Sequence, residues 1–303
     1  MWPSLISGAR RNLLGTGLAI VGISACPALI PPENVMARAF SCLLCIDPVL
    51  RVVDYARQLR KGIVKRDSLQ GDCKFLIPFP FLLTVLGQKQ QVMRTSHVSG
   101  ANLLWLMMIL STLAMAIFLC VQTHHVAVLR GSFLLDHLVK MILFMIVAET
   151  ASQVLVALER LCGFSTEPII NHAYLARTPA EFWFKYNQRV RQWLYVNVFV
   201  PCGGRRAPWT GVFIVFLVSA IFHEFFFALA TSRPDGFQFE FFMLQTPAVM
   251  LLPRLERLAR RNICGRLTAH GLTRIWFTGT SALSFHGLAR VFPFINASQN
   301  TIP

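Results

Sequence analysis

The sequence predicts an all-α fold, a multi-pass transmembrane helical bundle with an interfacial amphipathic helix. Three observations carry that expectation. Hydrophobic residues fill 54% of the 303 positions against 14% charged, and Phe alone occurs 25 times. Several apolar runs approach or exceed the roughly 20 residues that a helix needs to cross a hydrocarbon core of about 30 Å. Backbone polar groups cannot go unpaired in lipid, so runs of this kind are helical.

Taken in order, the first apolar run is Leu13 to Ile30, behind Arg10 and Arg11. It has the look of a signal peptide, but no small-residue cleavage site precedes Pro31, and a retained helix is expected. A Pro-interrupted run, Phe75 to Leu86, reads as re-entrant or interfacial. Leu103 to Val121 and Phe133 to Leu158 form a hairpin of spans, turned by the polar stretch Gln122 to Gly131. After a long polar and aromatic loop over 159–209, Thr210 to Ala230 and Phe237 to Leu252 return as spans, followed by the weaker Leu272 to Phe294. No repeat, low-complexity tract or Gly/Ser linker interrupts this order, so residues 1–303 are expected to be one domain.

The net charge of +15 would point to nucleic acid in a soluble protein. Here the basic residues sit in loops between apolar runs, so membrane headgroups and anionic co-substrates are the expected partners, not nucleic acid. Two clusters stand out: Arg51, Arg57, Arg60, Lys61, Lys65 and Arg66, then Arg254, Arg257, Arg260, Arg261 and Arg266. The positive-inside rule puts both on the cytoplasmic side, and the four clear crossings between them agree. Arg10 and Arg11 fit that placement only if Asn34 to Leu50 crosses back.

Eight cysteines are scattered along the chain, and only Cys42 and Cys45 are close together. Without a second pair or a nearby histidine they read as buried thiols, not metal ligands. No His pair has the H-E-x-x-H spacing, and neither a phosphate-binding Gly-rich loop nor a G-x-S-x-G elbow occurs. Asn296-Ala297-Ser298 is a sequon close to the C-terminus. A zinc hydrolase is not expected, nor any bound metal.

The loop carries a strong helix-start signal. Thr178 can cap, Pro179 suits the first helical position, and Glu181 completes a capping box. Phe182, Tyr186, Val190, Trp193 and Leu194 follow at helical spacing, with Lys185, Gln188, Arg189 and Gln192 on other faces. That pattern predicts one aromatic and basic helix at the membrane interface, ended by Pro201, Gly203 and Gly204.

Within the apolar run Ser219 to Ala230, His223 and Glu224 are the residues that call for an explanation. Ionisable groups at membrane depth are costly and usually face a bundle interior or a wet cavity. Ser219 and Ala220, one turn before His223, leave room for a ligand; a core histidine bonded to another helix is the alternative. Glu224 is turned about 100° away and is expected to orient a neighbour. Asn187, among Trp183, Phe184, Val190 and Arg191, gains interest when paired with His223. Asp136 and Lys140, four apart, read as an ion pair on one helix face.

At these residues the sequence resembles the membrane-bound O-acyltransferase family, in its wax synthase-like branch. The likeness lies in EPIINHAYLARTPAEFWFKYNQRVRQWLYVNVFVPCGG and FLVSAIFHEFFFAL, residues 167–204 and 216–229. In order come Thr178-Pro179 before Phe182-Trp183, an altered centre at Lys185-Tyr186-Asn187, Val198-Phe199-Val200-Pro201, and Ser219 before His223-Glu224. The resemblance implies transfer of a fatty acyl group from acyl-CoA to a hydroxyl of a lipophilic acceptor, a long-chain alcohol or glycerolipid. It implies His223 as the catalytic residue and Asn187 as the second family position. Trp183, Ser219, Glu224, Arg189 and Arg191 are then expected to bind substrate, and no cofactor beyond acyl-CoA is expected. The membrane would be the endoplasmic reticulum in a eukaryote or the inner membrane in a bacterium. Intramembrane His, Glu, Asp and Lys also mark ion paths, so a proton-coupled transporter stays open, though its paired broken helices are not apparent. A non-catalytic, lipid-binding member of the same fold is the third reading.

Overall fold

A computed structural model describes residues 2–62, 93–94, 100–126, 132–166, 168–251 and 253–292. Phe75 to Leu86, the Asn296 sequon and the second half of the expected turn Gln122 to Gly131 lie outside these residues. The described residues form ten α-helices. In chain order they are α1 (Trp2–Ala25), α2 (Val35–Arg60), α3 (Gly100–Gln122), α4 (Phe133–Leu161), α5 (Pro179–Lys185), α6 (Gln188–Leu194), α7 (Pro208–Thr231), α8 (Phe237–Leu251), α9 (Pro253–Arg261) and α10 (Ile263–Val291). One short antiparallel pair joins Met93–Arg94 to Phe164–Ser165.

Local chemistry sets several helix starts. Ser132 Oγ accepts from the Leu135 backbone N–H at 3.4 Å and opens α4. Asn262 Oδ1 does the same for α10 through Gly265 at 2.7 Å. Each satisfies a backbone donor that the first helical turn leaves without a partner.

Among the described residues, α3, α4 and α7 are long and apolar enough to cross a membrane. The expected fourth span, Phe237 to Leu252, is α8, which has only 15 residues. At 1.5 Å per residue it is about 22 Å long, short of the hydrocarbon core. Gln238 and Gln245 are buried on it, and Pro253 starts a new helix almost at once. That new helix, α9, is itself amphipathic: Ala259 packs on Ala269 while Arg257, Arg260 and Arg261 are exposed. The Asp136–Lys140 pair on α4 forms as expected, at 2.7 Å.

The stretch Asn34 to Leu50 lies in α2, with Asn34 as its N-cap. α2 is a 26-residue helix, about 39 Å long, whose hydropathy is lowered by its charged residues, several of which point inward. Arg38, Asp47, Arg51 and Asp54 are buried, whereas Met36, Phe40, Leu43 and Leu44 are exposed. Arg51 therefore does not join a headgroup cluster: its Nε donates to Asp47 Oδ2 at 2.7 Å. Arg57 donates to Asn197 Oδ1 at 3.1 Å.

Candidate active site

The segment after α4 is where the expected single helix fails. Thr178 caps α5 as the sequence predicts, its Oγ1 accepting from Glu181 N–H at 3.1 Å. Glu181 Oε2 in turn accepts from the Arg177 N–H at 2.9 Å. Seven residues later the helix stops, because Asn187 sits at φ 48°, in the left-handed region. Asn is among the few non-glycine residues that adopt that region readily. Its Oδ1 then caps α6 by accepting from Val190 N–H at 3.3 Å.

The break is held from both sides. Asn171 N–H donates to Lys185 O at 3.1 Å, and Gln188 N–H to Ile169 O at 2.7 Å. Ser152 Oγ on α4 fixes that bridging strand by accepting from the N–H groups of Ile169 and Ile170, both at 3.0 Å. Phe182 and Trp193 are buried, so α5 and α6 each pack one face into the bundle, while Phe184 is exposed.

His223 stands on α7, and its Nδ1 lies 2.9 Å from Ser219 O. A carbonyl oxygen only accepts, so Nδ1 carries the proton and Nε2 keeps its lone pair. Phe242 of α8 packs on the imidazole with ring centroids 4.0 Å apart. Trp183 reaches the same place from α5, its ring edge-on to Phe216 at 5.6 Å and 5.6 Å from Phe242.

These residues line a largely apolar chamber of about 470 Å³, bounded by α2, α4, α5, α6, α7, α8 and α10. His223, Asn187, Trp183 and Ser219 all line it, so four of the seven sequence-derived site residues meet in one place. Trp183 Nε1 is buried with no partner among the described residues. Burial pushes the Tyr186 phenol up to about 12, so it stays protonated at neutral pH in the chamber wall. Gln238, Ser281 and Ser284 add polar groups from α8 and α10. Those contributions had no signal in the sequence, since isolated Ser and Gln residues in apolar helices show no spacing that ties them to a site.

The other three are placed elsewhere. Arg189 is buried, and its Nη1 and Nη2 both donate to the Glu159 carboxylate of α4 at 2.8 Å. Such a two-pronged pair ties Arg189 to α4, and Arg189 is not among the residues that line the chamber. Arg191 lies outside the chamber wall, its guanidinium 3.9 Å from the centroid of the Phe184 ring. Glu224 is also outside: its Oε1 accepts from Asp235 N–H at 3.1 Å and Gly236 N–H at 2.8 Å, and its Oε2 from Phe239 N–H at 3.2 Å. The rotation of about 100° from His223 turns it to the start of α8, where it fixes the helix that carries Phe242.

The MBOAT, membrane-bound O-acyltransferase family pattern matches residues 88–274, more than half of the chain. The chain belongs to the membrane-bound O-acyltransferase family. The match takes in α5, α6, α7 and α8 together with the whole His223 helix. Within this family, the chain is similar to diacylglycerol O-acyltransferase 1C of Glycine max, at 29% identity over 111 residues, 36% of this chain and 22% of that protein. Diacylglycerol O-acyltransferase 1 of Arabidopsis thaliana is 29% identical over 99 residues, 32% of this chain and 19% of its own length. Diacylglycerol O-acyltransferase 1-1 of Oryza sativa subsp. japonica is 31% identical over 93 residues, 30% and 17% respectively. The matched part thus spans about a fifth of the length of these curated relatives. Membership and the three apolar helices make this family member a membrane protein.

Proposed function

We propose that the chain is an acyl-CoA-dependent O-acyltransferase that esterifies the hydroxyl of a lipophilic acceptor, with His223 as general base. The observation that carries this reading is the orientation of the imidazole: its Nδ1–H is spent on Ser219 O, which leaves Nε2 as an acceptor in an apolar chamber. An alcohol becomes an effective nucleophile when such a base takes its proton in the transition state, a contribution of about 10²–10⁴-fold.

The acceptor O–H proton passes to Nε2 as the oxygen attacks the thioester carbonyl carbon. The tetrahedral intermediate collapses, the C–S bond breaks, and the proton on Nε2 returns to the departing sulfur, giving ester and free CoA. Asn187 contributes through its amide N–H₂, because Oδ1 is committed to Val190. With Trp183 Nε1 it supplies N–H donors for the oxygen that gains charge, the kind of group whose removal costs about 10²–10³-fold. An apolar chamber also limits hydrolysis of the thioester. Arg205 and Arg206, exposed in the turn after Pro201, suit the CoA phosphates.

The diacylglycerol O-acyltransferase relatives favour a glycerolipid acceptor and the wax synthase-like blocks a long-chain alcohol. Either would suit a lipid-synthesising membrane, the endoplasmic reticulum in a eukaryote or the inner membrane in a bacterium. Expression in a neutral-lipid-deficient host fed a panel of alcohols distinguishes them by whether wax esters or triacylglycerols appear. The base assignment is tested with labelled acyl-CoA: His223→Ala abolishes transfer with normal membrane insertion, and unchanged transfer would reject it.

A further inference from the structure

A second cavity, of about 530 Å³, lies between α4, α10 and the turn Ala173–Leu175. From Leu138 to Ile146 its α4 wall is apolar, and the exposed Ile142 and Ile146 bring it to the face that a spanning helix presents to acyl chains. One turn further along α4 the lining becomes polar. Glu149 Oε1 accepts from His172 N–H at 3.0 Å, and Arg274 donates to the Tyr174 carbonyl beside it. The other carboxyl oxygen, Glu149 Oε2, is buried and has no hydrogen-bond partner among the described residues. A buried oxygen of this kind is unfavourable until something pairs with it.

Met141, Phe182 and Phe277 line both this cavity and the His223 chamber. The rings of Phe182 and Phe277 lie 4.1 Å apart between centroids, so the two spaces stand back to back with a packed wall between them.

We propose that this second cavity binds a single-chain lipid carrying a free hydroxyl, its chain along Met141, Met145 and Phe277 and its hydroxyl on Glu149 Oε2. The size falls within the range of about 300–1,000 Å³ usual for small-ligand sites, where a mostly apolar lining and a few placed polar groups set the ligand class. Glu149 and Arg274 line the same cavity with opposite formal charges, and Arg274 already donates to Tyr174 O. The lining atom left to satisfy is Glu149 Oε2, which needs a donor that a fatty carboxylate does not supply. A hydroxyl satisfies the unpartnered oxygen without adding charge, and it does so whether or not that carboxyl is ionised. The site is separate from the reaction chamber and does not depend on acyl transfer.

The test uses the full chain with His223→Ala, reconstituted in lipid nanodiscs, so that no turnover consumes the probe. A sixteen-carbon alcohol bearing a diazirine is photolysed, and the labelled peptides are mapped by mass spectrometry. Label is expected in 138–150 and 273–278, competed by hexadecanol or by a monoacylglycerol, whichever is the better ligand, and not by palmitate. Ile146→Trp fills the exposed mouth and Glu149→Ala removes the hydroxyl's partner. Each lowers labelling of 138–150 about five- to tenfold, the loss of roughly one hydrogen bond or an equivalent contact, and Glu149→Gln restores part of it. Labelling of the chamber peptide around Phe226 stays unchanged. Absence of label from 138–150, label indifferent to both variants, or displacement by palmitate as strong as by alcohol would each overturn the proposal. If wild-type chain transfers no acyl group while this labelling pattern holds, the enzymatic reading fails and the lipid site stands.

Discussion

Arg189 and His223 are both polar side chains held by packed helices of an apolar bundle, and the bundle uses them in opposite ways. Arg189 closes on both oxygens of Glu159, and Thr166 donates to the same carboxylate, so the group is consumed by the fold. His223 spends one ring nitrogen on a carbonyl of its own helix and turns the other toward a chamber. Polar groups inside such a protein therefore sort by whether their hydrogen-bonding capacity is used up. A committed pair fixes position, and an uncommitted donor or acceptor beside a cavity is available to a ligand. The committed pair also serves the open site: Glu159 grips α6 two residues beyond Asn187, where the backbone turns left-handed to face His223.

That contrast can be broken most sharply by exchanging the kinds of damage. His223→Ala should lower acyl transfer by about 10²–10⁴-fold with little change in thermal unfolding, read as turnover and melting temperature of the same preparation. Glu159→Ala should do the reverse first: leaving the Arg189 charge buried and alone costs about 3–5 kcal/mol of stability, and activity falls with the folded fraction. If Glu159→Ala melted like wild type, the pair would not be the clamp described here.

A finer separation falls on Asn187, which has one atom in each category. Asn187→Asp keeps an oxygen to cap α6 and removes the amide donors, so a near-native melting temperature with transfer lowered about 10²-fold is expected. Equal activity would show that the amide hydrogens are not used. Thr178→Ala should cost only about 1 kcal/mol, as the loss of an ordinary cap, and should leave the reaction rate of the folded protein unchanged.

The smallest effect concerns pH. Desolvation acts to raise the Glu181 carboxyl, but the hydrogen bonds and charges of Lys185 and Arg177 outweigh it and leave the group below its ordinary value. A carboxyl depressed in the folded state stabilises α5 above the unfolded value, and that stability is lost as pH falls through the folded one. Melting curves of wild type and Glu181→Gln should converge in acid and separate toward neutral pH.

Much of the site was legible along the chain because its signals are local. The capping box needs only Thr178 and Glu181, three residues apart, and His223 has Ser219, Ala220, Phe226 and Phe227 within four residues of it. The break at Asn187 was not legible: Phe182, Tyr186, Val190 and Trp193 have helical spacing on either side of it, and the left-handed residue is held by bonds from Ile169, Asn171 and Ser152. The Glu159 partner of Arg189 was not legible either, since it lies 30 positions away on α4. α2 escaped hydropathy because Arg38, Asp47, Arg51 and Asp54 interrupt its apolar run, and only the fold shows that these charges are buried.

What the sequence by itself determined is therefore the class of molecule, the main spans and the histidine, each a consequence of composition or short-range spacing that water and lipid read directly. What only the tertiary structure decided is which polar groups are spent and which are open. Hydrogen-bonding capacity is settled by partners distant in the chain, and no local pattern announces them.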